Sequence, residues 1–406
     1  MRSITTTMRN FLQRVIARSS RPGETPDRSS GPQPFGVNLS GYFTGRFGIA
    51  ASSRAFAHAV KLAGIPYVLN NLVAGAHGER FPFSGQFSDD NPYAINLIHA
   101  NVDMTEWFFR SKGKKYFRDK YNIGIWYWEI SGFPGKWRPA FSRYDEIWVT
   151  SSFTANALSK ISPIPVLKMP YPLSLNEGLI EGRPRELLGL PGDSFIFLFM
   201  FDFLSIFERK NPLAILEAFR RAFGKHREAL LIINCINSKA DPSSYKALRR
   251  GSNGLNVKII DGHLSEKSYL NLLSACDCYI SLHRSEGLGL IMAEAMYLGK
   301  PVIATAYSGN MDFMSRDNSL LVKYRLVELE RNYGPYEKGN SWAEPDVEHA
   351  SELMRWVYEN RDDAKLIGKR ASECVRKCMS PLIASMKIEE RLEHVYREFC
   401  NGGRKI

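Results

Sequence analysis

The sequence has no long hydrophobic run: nothing in it approaches the roughly 20 consecutive apolar residues that a bilayer-spanning helix needs. That leaves a soluble or surface-bound protein as the expectation. It also has no compact block of lysine and arginine interleaved with stacking aromatics, so its net charge of +12 is scattered. A basic balance suits nucleic acid, anionic lipid and phosphorylated small molecules equally. Without such a block, no nucleic-acid partner is expected. Six cysteines are present: Cys235, Cys276, Cys278, Cys374, Cys378 and Cys400. Cys374 and Cys378 stand one helical turn apart, a spacing that can suit a metal, but no second Cys or His pair completes a zinc pattern. Reduced, structural thiols and no metal are the expectation. Short internal repeats are absent as well.

What is present is ordinary globular composition, 44% hydrophobic and 24% charged over 406 residues, a length that suggests two to three domains. Residues 1–34 differ from the rest. Met1 to Gly23 carry five arginines and no acid, and Phe11, Leu12, Val15 and Ile16 fall on one face of a helix. Arg21 to Pro34 then read as a Pro/Ser/Gly linker. The segment lacks the apolar core and cleavage site of a secretory signal. It reads as a disordered tail, a weak amphipathic contact for an anionic membrane, or a targeting peptide.

From Phe35 onward, short apolar runs alternate with helix-period segments, the pattern of parallel sheets covered by helices. Candidate strands are Phe35–Leu39, Tyr67–Leu69, Ala94–His99, Ile123–Trp128 and Glu146–Thr150. After Met169-Pro-Tyr-Pro172, a stiff connection, a second series follows: Phe195–Phe201, Ala229–Asn234, Val257–Ile260, Cys278–Leu282 and Val302–Thr305. Several of these are apolar on consecutive residues, as strands buried on both faces are. The expected division is a tail at 1–34, an α/β domain at 35–172, a second at 173–380 and a C-terminal helix at 381–406. That helix opens with a capping Ser380 and with Pro381 at its first position.

The sharpest motif runs from Ser281 to Thr305. A buried strand enters a loop with Gly287 and Gly289, a helix follows and ends at Gly299, and Pro301 leads into another strand. A helix starting near Gly289 points free backbone N–H groups and its positive dipole end into the loop, a place for negative charge. Glu286 stands at the mouth of that loop and Glu294 more than a turn into the helix. Carboxylates accept paired hydroxyls, so one suits sugar hydroxyls and the other a ribose; the plain alternative is a capping acid and a solvated one. A second motif, Phe201 to Pro212, follows another buried strand. It places Arg209 and Lys210 beside a helix expected to start with Asn211 as N-cap and Pro212 at N1. Two cations there suit a visiting diphosphate.

Three further places are singled out. Gly41-Tyr-Phe-Thr-Gly-Arg-Phe-Gly48, with Gly45 at its centre, is a glycine turn between a strand and a helix at Ala50–Leu62. The next strand lacks a terminal acid at its ribose-binding position, which counts against a dinucleotide enzyme. Tyr127-Trp-Glu129 ends a strand with aromatics beside a carboxylate, and His99 ends another. Gly309, in Tyr307-Ser-Gly-Asn-Met-Asp312, follows the strand after the main motif.

Glu286-x7-Glu294 with its embedded Gly-Leu-Gly-Leu, the downstream Gly-Lys-Pro-Val-Ile-Ala-Thr and the Arg209-Lys210 pair resemble the signature of glycosyltransferase family 4. The resemblance covers Phe35 to the C-terminus and is most specific between Phe195 and Phe313. It departs at three points. An upstream arginine after glycine is replaced by Asp202-Phe-Leu-Ser205, a loop histidine by the region of Glu129, and Pro-Glu after Gly309 by Met311-Asp312. The resemblance implies a GT-B fold: two Rossmann-like domains facing a cleft, with C-terminal helices packing back. It implies retaining transfer of a sugar from a nucleotide diphosphate-sugar to a glycan or lipid-linked acceptor. Glu286, Lys210, Arg209 and Glu129 are then the catalytic candidates. Gly287, Leu288, Gly289, Leu290, Glu294, Gly45, His99 and Gly309 are the donor-side candidates. No cofactor beyond the nucleotide-sugar is expected, and no Asp-x-Asp metal clamp occurs anywhere. A cytoplasmic protein, peripheral on the membrane face, is the expected setting. A sugar-nucleotide epimerase of the same shape, or a non-catalytic nucleotide-sugar-binding subunit, are the alternatives.

Overall fold

The computed structural model describes residues 33–73, 81–224 and 228–402. The basic segment read from the sequence at 1–34 lies, except for its last two residues, outside them. Two compact units are formed.

The first unit comprises residues up to Tyr127, Gly135–Ser174 and Met379 onward. Its sheet has six parallel strands: β1 Val37–Gly41, β2 Tyr67–Asn71, β3 Ile95–Ile98, β4 Tyr121–Ile125, β5 Glu146–Val149 and β6 Val166–Lys168. They lie in the order β2-β1-β3-β4-β5-β6. The buried runs Val37, Leu39, Ile95, Leu97, Ile123 and Ile125 pack with Phe56 and Val60 of the helix Gly48–Leu62. Three asparagines share one register row across β1, β3 and β4. The Asn38 amide donates to Asn96 Oδ1 at 3.0 Å, and the Asn96 amide to Asn122 Oδ1 at 2.8 Å. Polar groups inside a sheet are tolerated when they satisfy one another in this way.

The C-terminal helix Pro381–Gly402 belongs to this first unit. Ile388, Leu392 and Val395 on its inner face join the core, each contributing roughly 1.5–3 kcal/mol of burial. A charged latch accompanies them. Glu146, fully buried on β5, accepts from Trp148 Nε1 at 2.6 Å and from the Tyr121 hydroxyl at 3.1 Å. The Arg391 guanidinium reaches in from the helix to both of its oxygens.

The second unit comprises Leu175–Cys378 together with the short segment Trp128–Pro134. Its six parallel strands are β7 Phe195–Asp202, β8 Ala229–Ile236, β9 Val257–Asp261, β10 Cys278–Ser281, β11 Val302–Thr305 and β12 Leu320–Val322. Their order is β12-β11-β10-β7-β8-β9, the doubly wound arrangement whose direction of progression reverses between β7 and β10. An antiparallel hairpin, β13 Tyr324–Glu328 and β14 Ser341–Pro345, is added after the sheet.

Several sequence expectations shift. The strand read at Ile123–Trp128 ends at Ile125, because the Trp126 N–H still pairs with Trp148 while the chain beyond Tyr127 leaves for the second unit. Glu129, read as part of the first domain, therefore belongs to the second. β6, β12 and the hairpin were not marked by the sequence; β6 and β12 span only three residues each, too short to show a periodicity.

Replacing Arg391 by Ala leaves the Glu146 carboxylate buried without its cation. The expected cost is about 3 kcal/mol, read as a lowered thermal midpoint. Arg397→Ala, on the exposed side of the same helix, should change stability by less than about 0.5 kcal/mol.

Candidate active site

In an open doubly wound sheet, ligands bind beyond the carboxyl ends of the strands, at the reversal of strand order. In the second unit the chain that leaves β7 carries Arg209 and Lys210, and the chain that leaves β10 carries His283 to Gly289.

The β7 exit is wound tightly. Asp202 caps Leu204 N–H at 2.9 Å. Ile206 then adopts φ 63°, a conformation costing a β-branched residue about 1–3 kcal/mol. Asn211 sits at the N-cap position but in the left-handed region, φ 56°. Its side chain does not cap the helix. It donates to the Leu282 carbonyl at 3.0 Å and so ties this loop to the end of β10. Arg284 N–H donates to the Arg209 carbonyl at 2.8 Å, and Arg209 Nη1 to the Ser285 carbonyl at 2.9 Å.

The β10 exit is tied in turn to the loop after β11. His283, fully buried, contacts Ser281 through Nδ1 at 3.0 Å. Its Nε2 lies 3.1 Å from Asn310 Oδ1 and 3.2 Å from the Tyr307 carbonyl. Burial lowers its pKa, so the ring is neutral. Glu286 N–H donates to Ser308 Oγ at 2.8 Å, and Gly309 N–H to the Glu286 carbonyl at 2.9 Å. Gly309 tolerates no side chain, since a Cβ would lie on the Gly287 carbonyl. Gly289, at φ 88°, starts the helix Leu290–Tyr297, and Leu288 is buried beside it.

These ties bring three charged side chains together. The Glu286 carboxylate, buried, pairs with Lys210 Nζ through one oxygen and with Arg209 Nη1 at 3.2 Å through the other. Burial would push the Glu286 carboxyl upward, but Lys210 and Arg209 overcome it and hold its pKa at about 2. Burial pulls the Lys210 ammonium down, with Glu286 opposing. Burial also works against the Arg209 cation, but Tyr336, Glu286 and Glu129 raise it in net. Arg209 Nε is buried with no hydrogen-bond partner. Glu129 stands close by, its Oε2 accepting from the Tyr336 hydroxyl at 2.8 Å. Glu294, partly buried, receives a hydrogen bond from the Tyr269 hydroxyl. Burial pushes its pKa to about 7, with that bond pulling the other way.

Arg209, Lys210, Glu286 and Glu129 thus meet, with Gly287–Leu290 and Gly309 forming the backbone beneath them. Gly45 and His99 belong to the first unit. Gly45 closes a turn on the Tyr42 carbonyl and accepts from Arg54 at 2.8 Å. His99 is fully enclosed, its Nε2 2.9 Å from Ser52 Oγ, and burial lowers its pKa to about 3. The sequence reading passed over His283, Ser308, Tyr269 and Tyr336. His283 carried a signal, a polar residue closing a buried strand; Tyr336 carried none, because it arrives on the hairpin loop.

Residues 185–373 match the family model described as glycosyl transferases group 1. Trehalose synthase from Pyrococcus horikoshii is 25% identical over 176 residues, 41% of this chain and 37% of that protein. The match therefore spans little more than a third of that relative's length. The structure is similar to that of Anabaena HepE solved with UDP and glucose: TM-score 0.63, 12% identity, 89% of this chain and 100% of that one. It is similar also to sucrose-phosphate synthase from Thermosynechococcus elongatus, with TM-score 0.63, 14% identity, and 89% and 99% covered. The fold is GT-B, built of two α/β units. The matched residues lie within the second unit.

A carboxyl with a pKa raised by folding binds its proton more tightly folded than unfolded. Stability therefore declines as pH rises from the ordinary value of 4.5 towards 7. Glu294→Gln should abolish that decline and stabilise the protein at pH 8 by on the order of 1–3 kcal/mol relative to pH 5. Denaturant melts at both pH values test this; an equal difference at both would mean that Glu294 ionises without penalty.

Proposed function

We propose that this chain is a retaining glycosyltransferase of family 4 that moves a sugar from a nucleotide diphosphate-sugar to a hydroxyl of a glycan or lipid-linked acceptor. The observation that carries this reading is the buried Arg209–Lys210–Glu286 cluster at the strand-order reversal of the second sheet. Two adjacent cations and the start of the helix at Gly289 suit a diphosphate. Glu286 suits the sugar hydroxyls and Glu294 the ribose. The backbone of Gly287–Leu290 and Gly309 lies under the donor. A uridine nucleotide is the first choice to test, since HepE was also solved with UDP-glucose.

In the transfer, the bond between the anomeric carbon and the donor phosphate oxygen breaks, its electron pair leaving with the diphosphate. The acceptor oxygen forms the new bond on the same face, and its proton passes to the departing phosphate. Lys210 and Arg209 take up the charge that develops there, the part a metal clamp plays elsewhere. Glu129 is assigned to orient the acceptor hydroxyl. His99 is assigned to hold Ser52, and Gly45 to shape the glycine turn of the first unit. The five arginines of the first 23 residues, with no acid among them, support peripheral contact with an anionic membrane on the cytoplasmic side. Among the described residues, no helix is long and apolar enough to cross that membrane.

Thermal stabilisation by UDP-, GDP-, ADP- and dTDP-sugars, with nucleotide release measured with and without acceptor, tests the reading. One donor should stabilise the protein, and Lys210→Ala should abolish this and lower kcat/KM by about a hundredfold or more. Stabilisation that survives Lys210→Ala would displace the phosphate site; turnover to an isomeric nucleotide-sugar without acceptor would indicate an epimerase.

Because Glu286 already occupies both cations, a diphosphate must compete with it for Lys210. Glu286→Gln should therefore tighten binding of the nucleoside diphosphate alone several-fold while lowering turnover with the full donor. Calorimetric titration against steady-state rates measures both, and weaker nucleotide binding in this variant would contradict the competition.

A further inference from the structure

The hairpin β13–β14 is an addition to the doubly wound sheet, and its loop is bound to the site at several independent points. Arg284, two residues before Glu286, grips Glu344 of β14 with two nitrogens at 2.7 and 3.0 Å and donates to the Glu208 carbonyl at 2.7 Å. Arg331 pairs with Glu208 at 3.1 Å, beside the two cations. A Cβ on Gly334, at φ 56°, would meet Ile206 Cδ1 at 2.8 Å, so the turn of the loop presses on the strained residue of the β7 exit. Tyr333 and Tyr336 exchange backbone hydrogen bonds across that turn at 2.9 and 3.0 Å, and Tyr333 packs on Trp342.

The loop fixes Tyr336, and Tyr336 meets the segment Trp128–Pro134. Its ring lies edge-on to Trp128, centroids 5.3 Å apart, and its hydroxyl donates to Glu129 Oε2 at 2.8 Å; only 3% of it is exposed. The segment is held elsewhere too. Ser285 Oγ donates to the Glu129 carbonyl, a Cβ on Gly287 would come within 3.1 Å of the Trp128 carbonyl, and Gly132 leaves no room for a side chain beneath Asn340. With the backbone on both sides of Glu129 fixed, the remaining freedom is in its carboxylate, and that is the group Tyr336 takes hold of. The charged groups around it are Arg209 and Lys210 from the β7 exit and Glu286, which shares both cations.

We propose that Tyr336 is a positioning residue for the transfer reaction: its hydroxyl, delivered by the hairpin, holds the Glu129 carboxylate oriented beside the cation pair. That hydrogen bond removes side-chain rotation that would otherwise have to be frozen when an acceptor hydroxyl arrives. The proposal rests on the transferase reading for its consequence, but not for the hold on Glu129.

The full chain, labelled with ¹³C at glutamate carboxyls, separates the two. The Glu129 resonance is assigned by its loss in Glu129→Gln and compared between the wild type and Tyr336→Phe, which keeps the ring and removes one oxygen. Its chemical shift should move and its line broaden in Tyr336→Phe, as the carboxylate gains rotation. In the same variant kcat should fall about tenfold with the donor KM changed less than about twofold. Placing 3-fluorotyrosine at position 336 provides a stronger donor of nearly the same shape and should move the resonance the opposite way, which also covers a Phe variant that fails to fold. An unmoved resonance in both, accompanied only by a lower melting temperature, overturns the proposal. A shifted resonance in a protein that transfers no sugar from any donor would uphold the hold on Glu129 and refute the transferase reading instead.

Discussion

The second unit is organised around a carboxylate that two cations share inside the protein. Removing three charges from water costs several kcal/mol per ion before any pairing is counted. Such a cluster persists only when its geometry is fixed from all sides. Glu286 meets that requirement with a cation at each oxygen and with both its backbone N–H and its carbonyl bonded to the loop after β11. The surrounding backbone bends to supply those partners. Ile206, Asn211 and Ser308 all take positive φ, and all three lie in the loops that build the cluster. Strain of this kind is sustained by the contacts around it, and it concentrates where geometry matters more than local comfort.

The sheet explains why the cluster forms where it does. Strand-order reversal between β7 and β10 opens two loops side by side. Arg209 and Lys210 arrive on one and Glu286 on the other, so charges 76 positions apart become neighbours. His283 and Asn310 draw in a third loop, neutral and fully bonded, without adding charge to an already crowded place. The hairpin then closes one side through Arg284 and Glu344. Each layer restrains the one inside it.

Local chemistry was legible in the sequence, and assembly was not. Gly289 and Gly299 mark the ends of the helix they were expected to bound, because left-handed conformations there require glycine whatever the surroundings. The strands β7, β8, β10 and β11 were visible because burial on both faces leaves largely unbroken apolar runs, whereas β9, at the sheet edge, is half-exposed and showed only as Val257 with Ile259 and Ile260. Arg209, Lys210, Glu286 and Glu294 stood out because cations beside a helix start and acids in a glycine turn have few structural uses. Asn211 shows the limit. Its type and place suggested a cap, but a carbonyl 71 positions away outcompeted the helix for its amide. Tyr336 and the true allegiance of Glu129 were beyond reach for the same reason, since each depends on a partner supplied by a distant part of the chain.

The C-terminal helix of the first unit bears on how the chain is made. The Tyr396 hydroxyl donates to the Gln33 carbonyl, a contact spanning 363 positions, and the core of the first sheet includes Ile388, Leu392 and Val395. During synthesis the first sheet emerges from the ribosome early, but the helix that covers it follows only after the whole second unit. The second unit, nearly continuous in sequence, can close as it appears, whereas the first must wait with an apolar face exposed. The part made first is therefore the part finished last.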